Sequence, residues 1–191
     1  ERRRCVRNRR GLARVDQLGD AAMLGGVAMA SVLFDCLFWL FGFLRMSTVA
    51  FTAQSLGSGE TSELRAILLR GLIVAALVGA ALIALQIPLA TLLLNAMGGS
   101  EGVTGAAKTY FTIRIWSSPL ALGNYVVLGW LIGQARAKLA LGMQITINLI
   151  NVAATVVLVL VFDFGIAGAA IAALIAEAAG LLLGLLIARH L

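Results

Sequence analysis

The sequence predicts an all-α polytopic bundle of about five membrane-spanning helices, and three observations predict it. Of 191 residues, 61% are hydrophobic and 13% charged, whereas a soluble domain is about a quarter charged. There is too little polar surface here to cover a water-facing body. Polar interruptions then divide the chain into five apolar stretches, each able to cross a hydrocarbon core of about 30 Å at about 1.5 Å per helical residue. A signal peptide competes as an explanation for only one such stretch. Finally, the formal charge of +6 is not spread over a surface: seven arginines within residues 1–14, against Glu1, account for all of it, and the remaining residues balance. The basic residues form a tail (residues 1–17) on a neutral apolar body (18–191). Without interleaved aromatics or a soluble fold behind it, such a run reads as a solvated tail, and no nucleic-acid partner is expected.

The first segment runs from about residue 20 to 56 and ends at the Gly57-Ser58-Gly59 turn. The second, about 64–97, ends at Gly98-Gly99-Ser100, and the third covers about 104–134. All three exceed a bilayer's thickness, so they must tilt, bend or project. Two carry a place to bend. Pro88 leaves the carbonyl of Ala84 without its helical donor, and Pro119 does the same to Ile115. A packing kink and a hinge both fit these prolines. The fourth and fifth segments, about 138–162 and 166–189, match a single crossing. Gly129-x-x-x-Gly133 and Gly180-x-x-x-Gly184 each put two glycines on one helix face, the spacing at which helix backbones approach closely.

Loop charge sets the orientation. The short loop around Arg136 and Lys138 carries two cations and no anion, which places it in the cytoplasm. Strict alternation then puts the 57–63 turn, Arg189 and His190 on the same side, and the arginine tail outside. A heptavalent basic tail outside contradicts the rule that the other loops obey. The expectation is that a preceding transmembrane helix is missing or replaced, and a chain that opens on Glu1 reads as part of a longer or processed product.

Polar groups inside these apolar segments are the functional candidates, since hydrocarbon forces them towards the bundle interior or a cavity. On the fourth segment Gln144, Asn148, Asn151 and Thr155 recur at i, i+4, i+7 and i+11, one stripe down one helix face. They line a pathway or tie helices together by interhelical hydrogen bonds. Asn124 sits deep in the third segment. Arg114, nearer its start, is expected to snorkel to the outer interface, and Arg45 to the cytoplasmic one. Arg45 lies too far from Asp35, about 15 Å along a helix, for the two to pair. Asp35 and Glu177 are carboxylates within apolar segments, where desolvation penalises the charged form and suits reversible proton binding. A structural hydrogen bond to a neighbouring helix is the competing role for Asp35.

Catalytic and metal chemistry find no support. There is no Ser/His/Asp set, no His-Glu-x-x-His and no phosphate-binding glycine loop; His190 is the one histidine, and Cys5 and Cys36 lie in the tail and in an apolar segment. Polar stripes in a bundle without such groups favour transport over enzymatic activity, with no metal and no cofactor.

Several strings resemble the MATE (multidrug and toxic compound extrusion) family, DinF-like branch: LFWLFGFLRM at 37–46, Thr52-Ala53-Gln54, IRIWSSP at 113–119, NYVVLGW at 124–130, FGIAGAA at 164–170 and Ile175-Ala176-Glu177. The similarity runs in order from about Leu18 to the C-terminus. It implies a twelve-helix, two-lobe transporter of the bacterial inner membrane that exports small organic, often cationic, compounds in exchange for H+ or Na+. The five segments would be helices two to six of the amino-terminal lobe, with the first helix and second lobe absent. The resemblance matches Asn124 and Asn151 to polar positions of the family, and with Gln144, Asn148 and Thr155 of the stripe they are expected to line the substrate or ion pathway. Two departures stand out. Val15-Asp16 before Leu18-Gly19-Asp20 is wrongly spaced to match the coupling Asp of the family's first helix. Thr155 replaces an Asp that many relatives carry, and Ala173 a polar Thr. Asp35 or Glu177 is expected to take up part of the proton coupling. A lipid-linked-precursor flippase of the same superfamily, which would show more cavity cations than Arg114, and a non-transporting remnant are the alternatives; a lone partial lobe is expected to be inactive.

Overall fold

A computed structural model of the chain describes residues 24–191; the basic tail, Cys5, Val15-Asp16 and the start of the first segment lie outside the described residues. Among those described, five helical stretches are long and apolar enough to span a membrane: Leu24–Ser58, Ser62–Ala84, Glu101–Gly133, Ala137–Val161 and Gly165–Arg189. No described residue lies in a strand.

The long spans are jointed. The first comprises α1 (24–40) and α2 (Gly42–Ser58). Around Phe41 the ladder tightens to i→i+3 bonds, Phe41 N–H to the Phe38 carbonyl and Leu44 N–H to that of Phe41, both 3.0 Å. No proline marks this joint, but Gly42 follows it, and glycine is among the recognised causes of kinks. The second segment, expected as one stretch bent at Pro88, is two helices. α3 (Thr61–Ala84) stops at Leu85 and α4 (Gln86–Met97) follows. The break falls where Pro88 withholds the donor that Ala84 needs. At 12 residues α4 reaches about 18 Å and does not span. The third span comprises α5 (Glu101–Arg114), a 3₁₀ turn (Ile115–Ser117) and α6 (Ser118–Gly133). Here Pro119 again explains the joint: the Ile115 carbonyl accepts instead from the Ser118 N–H. α7 (Ala137–Val156) runs into a π turn (Val157–Val161), and α8 (Gly165–Arg189) completes the fold.

α6 is the centre of the bundle, buried at twelve of its 16 residues and packed against α2, α3, α7 and α8. Its small residues Gly123, Gly129 and Gly133 admit close neighbours and its Asn124 needs a partner away from lipid, so it takes the interior position. The glycine motifs set the approach distances. A Cβ at Gly133 would lie 2.6 Å from the Thr52 Cβ and 2.8 Å from the Val49 carbonyl oxygen, and one at Gly129 2.6 Å from that of Arg45. The first pair therefore seats α6 on the backbone of α2. Gly180 and Gly184 seat α8 on Ile147 and Met143 of α7 and on Val127 of α6.

Trp130 closes the lower end. Its indole Nε1 donates to the Leu64 carbonyl at 2.7 Å, joining the end of α6 to the start of α3. Trp130→Phe keeps the packing but removes this second bond from a carbonyl that α3 already engages, so a cost of about 0.5–1.5 kcal/mol is expected, read as a lower thermal midpoint in detergent. These contacts gather the turn at Gly59-Glu60, the loop at Gln134-Ala135-Arg136 and the end of α8 at one end of the bundle. That is the grouping that alternation requires, and it brings Arg65, Arg136, Lys138 and Arg189 to one end.

Candidate functional site

A cavity of about 300 Å³ opens between α1, α5, α6, α7 and α8, and every one of them contributes a polar side chain. Asp35 comes from α1, Arg114 from α5, Asn124 and Tyr125 from α6, Gln144 from α7 and Glu177 from α8. Phe38, Leu128 and Ile147 supply apolar wall, and Trp39 stands exposed at the rim with Asp35 and Gln144. A larger groove, about 560 Å³, lies between α2 and α3 and holds an Arg70–Glu63 ion pair at 3.2 Å. That pair is solvent-exposed, 70% and 43% for the two side chains, and contributes little. Chemistry therefore favours the smaller cavity.

Its floor is the contact between Asn124 and Glu177. Asn124 is 2% exposed. Its Nδ2 donates to the Glu177 carboxylate oxygen Oε2 at 2.6 Å and to the Glu177 backbone carbonyl at 2.9 Å. The amide oxygen Oδ1 is buried and has no donor. Local sequence makes this contact possible: Gly180, one turn beyond Glu177, lacks the Cβ that would sit 3.3 Å from Asn124 Nδ2.

Arg114 does not snorkel away. It ends α5, where its guanidinium lies 5.4 Å over the ring of Phe34 and 5.7 Å over that of Tyr110, and donates to the Tyr110 hydroxyl at 3.1 Å. Phe34 is itself fully buried and stacked on Phe111 at 4.9 Å. This aromatic shelf attracts the cation and turns it towards the cavity instead of the interface. Arg45 likewise leans 5.7 Å over the ring of Tyr125. It makes no ion pair with Asp35; Arg70–Glu63 is the one pair among the described residues.

The amide stripe keeps its register but divides by position. Gln144 lines the cavity; Asn148, Asn151 and Thr155 do not. Asn148 is exposed, and Asn151 and Thr155 are half-buried. The bonds among them run along α7 itself, Gln144 Nε2 to Asn148 Oδ1 at 3.5 Å and Thr155 Oγ1 to Asn151 Oδ1 at 3.2 Å, and not between helices. Tyr125, Tyr110 and Phe34 were not among the sequence candidates. The signal available was the i, i+4 spacing of Tyr110 and Arg114, which stacks an aromatic ring beneath a guanidinium on a helix.

A bundle of apolar spans with carboxylates, amides and a guanidinium gathered between its helices defines a multi-pass membrane protein, since such groups persist in hydrocarbon only where they serve a pathway or a packed interior. The MatE family model matches residues 13–157, and the chain belongs to that family of inner-membrane transporters. It is 38% identical over 177 residues to DNA damage-inducible protein F of Escherichia coli (strain K12), covering 93% of this chain and 39% of that protein. It is 31% identical over 108 residues to the probable multidrug resistance protein NorM of Caulobacter vibrioides, covering 56% of this chain and 23% of the relative. Solved structures agree on the fold. A MOP superfamily transporter from Pyrococcus furiosus superposes with a TM-score of 0.77 at 20% identity, over 90% of this chain and 40% of that one. Outward- and inward-facing forms of a multidrug resistance MATE family transporter superpose at 0.73 and 0.75, with 18% and 20% identity, over 90% and 88% of this chain and 41% and 40% of theirs. The chain thus spans about two fifths of the length of the first relative.

Proposed function

We propose that the chain is most of the amino-terminal lobe of a secondary active transporter that exports small organic, often cationic, compounds in exchange for H+ or Na+. The observation that carries this reading is the cavity, where two carboxylates meet two amides and one guanidinium contributed by five helices. With both carboxylates ionised the lining carries a net charge of −1, which suits binding one cationic equivalent and releasing it. Alternating access would supply the cycle, the lobes rocking about a cavity whose occupancy favours one conformation. The similar TM-scores to outward- and inward-facing forms support a lobe that moves as a body. A flippase of lipid-linked precursors would call for more cavity cations; Arg114 alone lines this one, and the charge balance favours cation exchange.

The test is dye export from cells, with and without a protonophore. The chain is expressed by itself and, in parallel, in place of the matching part of the Escherichia coli relative. Protonophore-sensitive export by the chimera and none by the chain alone is expected; a folded chimera that exports nothing would overturn the reading. Asp35→Asn in the chimera is expected to weaken export, because the rim then lacks one of the two carboxylates that give the lining its negative charge. Unchanged export removes Asp35 from the pathway.

A further inference from the structure

We propose that the mouth of this cavity binds a flat aromatic cation, with the carboxylate of Asp35 as its counter-charge and the indole of Trp39 as the surface on which it stacks. The inference rests on the export reading above and deepens it, by naming the residue that selects the substrate.

The lining divides by depth. At the floor, Asn124 is 2% exposed and its amide nitrogen is taken up by Glu177. Asp35, Trp39 and Gln144 are exposed around the mouth. Asp35 and Trp39 stand four residues apart on α1, so carboxylate and indole share one helix face. Asp35 makes no ion pair among the described residues. At about 300 Å³ the cavity is at the small end for a ligand site, so a dye-sized molecule seated in it must also rest on the rim.

The rings around the site are not equivalent. Phe34 and Tyr110 already carry Arg114, and Tyr125 carries Arg45, at 5.4 to 5.7 Å. Phe38 is buried and tilted against Phe34. Trp39 is 80% exposed and lies under no guanidinium among the described residues. Indole is also the side chain that attracts cations most strongly.

Its depth supports the same role. Tryptophans that anchor a membrane protein sit at the two interfaces, whereas Trp39 lies near the midpoint of the 35-residue span Leu24–Ser58. Lipid offers an indole N–H no partner at that depth, and a polar cavity mouth does. A flat organic cation meets both groups at once, its charge on Asp35 and its π face on the indole. A compact, strongly hydrated ion has no face to stack. Trp39 is therefore a specificity-determining residue for the organic substrate.

The experiment measures ethidium binding to the purified chimera in nanodiscs by fluorescence anisotropy, with binding to empty nanodiscs subtracted. The parent chimera is expected to bind saturably. Trp39→Leu keeps an apolar side chain without a ring and should weaken binding by about tenfold or more, and Trp39→Phe should recover most of that loss. Asp35→Asn should weaken binding by a similar factor. The proposal is overturned by a parent chimera without saturable binding, or by a Trp39→Leu or Asp35→Asn chimera that melts like the parent and binds as tightly. A Trp39→Phe chimera no better than Trp39→Leu also overturns it, because apolar bulk would then account for the effect. Should Trp39→Leu fail to fold, Trp39→Met replaces it under the same criteria. Export is scored separately: a chimera that binds through Trp39 and exports nothing sinks the export reading alone, and export with an affinity indifferent to Trp39 sinks this one alone.

Discussion

Glu177→Gln, made in the chimera, is expected to cut proton-driven export by at least about tenfold while the protein still folds. The amide is isosteric with the carboxylate, and its oxygen can accept the hydrogen bond that Asn124 Nδ2 gives to Glu177 Oε2 at 2.6 Å. The tie between α6 and α8 therefore survives. What disappears is the group at the cavity floor that can take or release a proton, and with it one unit of the charge that opposes Arg114. Export at the level seen with a protonophore, together with an unchanged melting temperature, is the expected pattern. A variant whose export still follows the proton gradient would remove Glu177 from the mechanism. Asn124→Leu differs in kind: it leaves the Glu177 carboxylate without its amide donor and should lower stability and export together.

The largest stability effect is expected at Gly133. Substitution by Leu drives carbon into the Val49 carbonyl oxygen and the Thr52 side chain of α2, which a Cβ alone would meet at 2.8 and 2.6 Å. Backbone cannot swing aside as the end of a flexible side chain does, so α2 must move off α6. The expected cost is about 3 kcal/mol, the upper end for overfilled sites. Gly142→Ala is the matched control with the opposite sign. Nothing lies within 4 Å of a Cβ there, and the position is exposed within α7, so loss of chain entropy in the unfolded state should stabilise by about 0.5–1 kcal/mol. Thermal or chemical unfolding of the two variants beside wild type checks both signs.

The spans were legible in the sequence because hydrophobicity over about 20 residues is a strong and local signal. The two glycine motifs were legible for a related reason: close backbone approach needs a missing side chain at a fixed period. The joints were read only where proline makes them. Pro88 and Pro119 announced the breaks at Leu85 and Ile115, although that at Leu85 ends the helix outright; Phe41 and the π turn at Val157–Val161 carry no such mark. Within the site, Asp35, Asn124, Gln144 and Glu177 stood out as polar residues in apolar surroundings. Their convergence did not, because Asn124 and Glu177 are 53 residues apart and meet through packing. Arg114 shows the limit most directly. Its position along one helix fits an interface residue, and what holds it inward is Phe34, on a different span. Periodicity likewise placed Gln144, Asn148, Asn151 and Thr155 on one face without saying how little of that face the cavity would reach.

The joints divide the lobe into two blocks. Chain passes between α1 and α2 at Phe41, between α3 and α4 at Leu85, and between α5 and α6 at Ile115–Ser117, each time through a stretch that leaves α-helical geometry. α1, α4 and α5 lie on one side of these seams; α2, α3 and α6 lie on the other. The cavity straddles the divide, with Asp35 and Arg114 mounted on the first block and Asn124 and Tyr125 on the second. Bending at these joints would change the separation between the fixed positive charge and the amide that holds Glu177, and α8, one unbroken helix packed on both α5 and α6, restrains it.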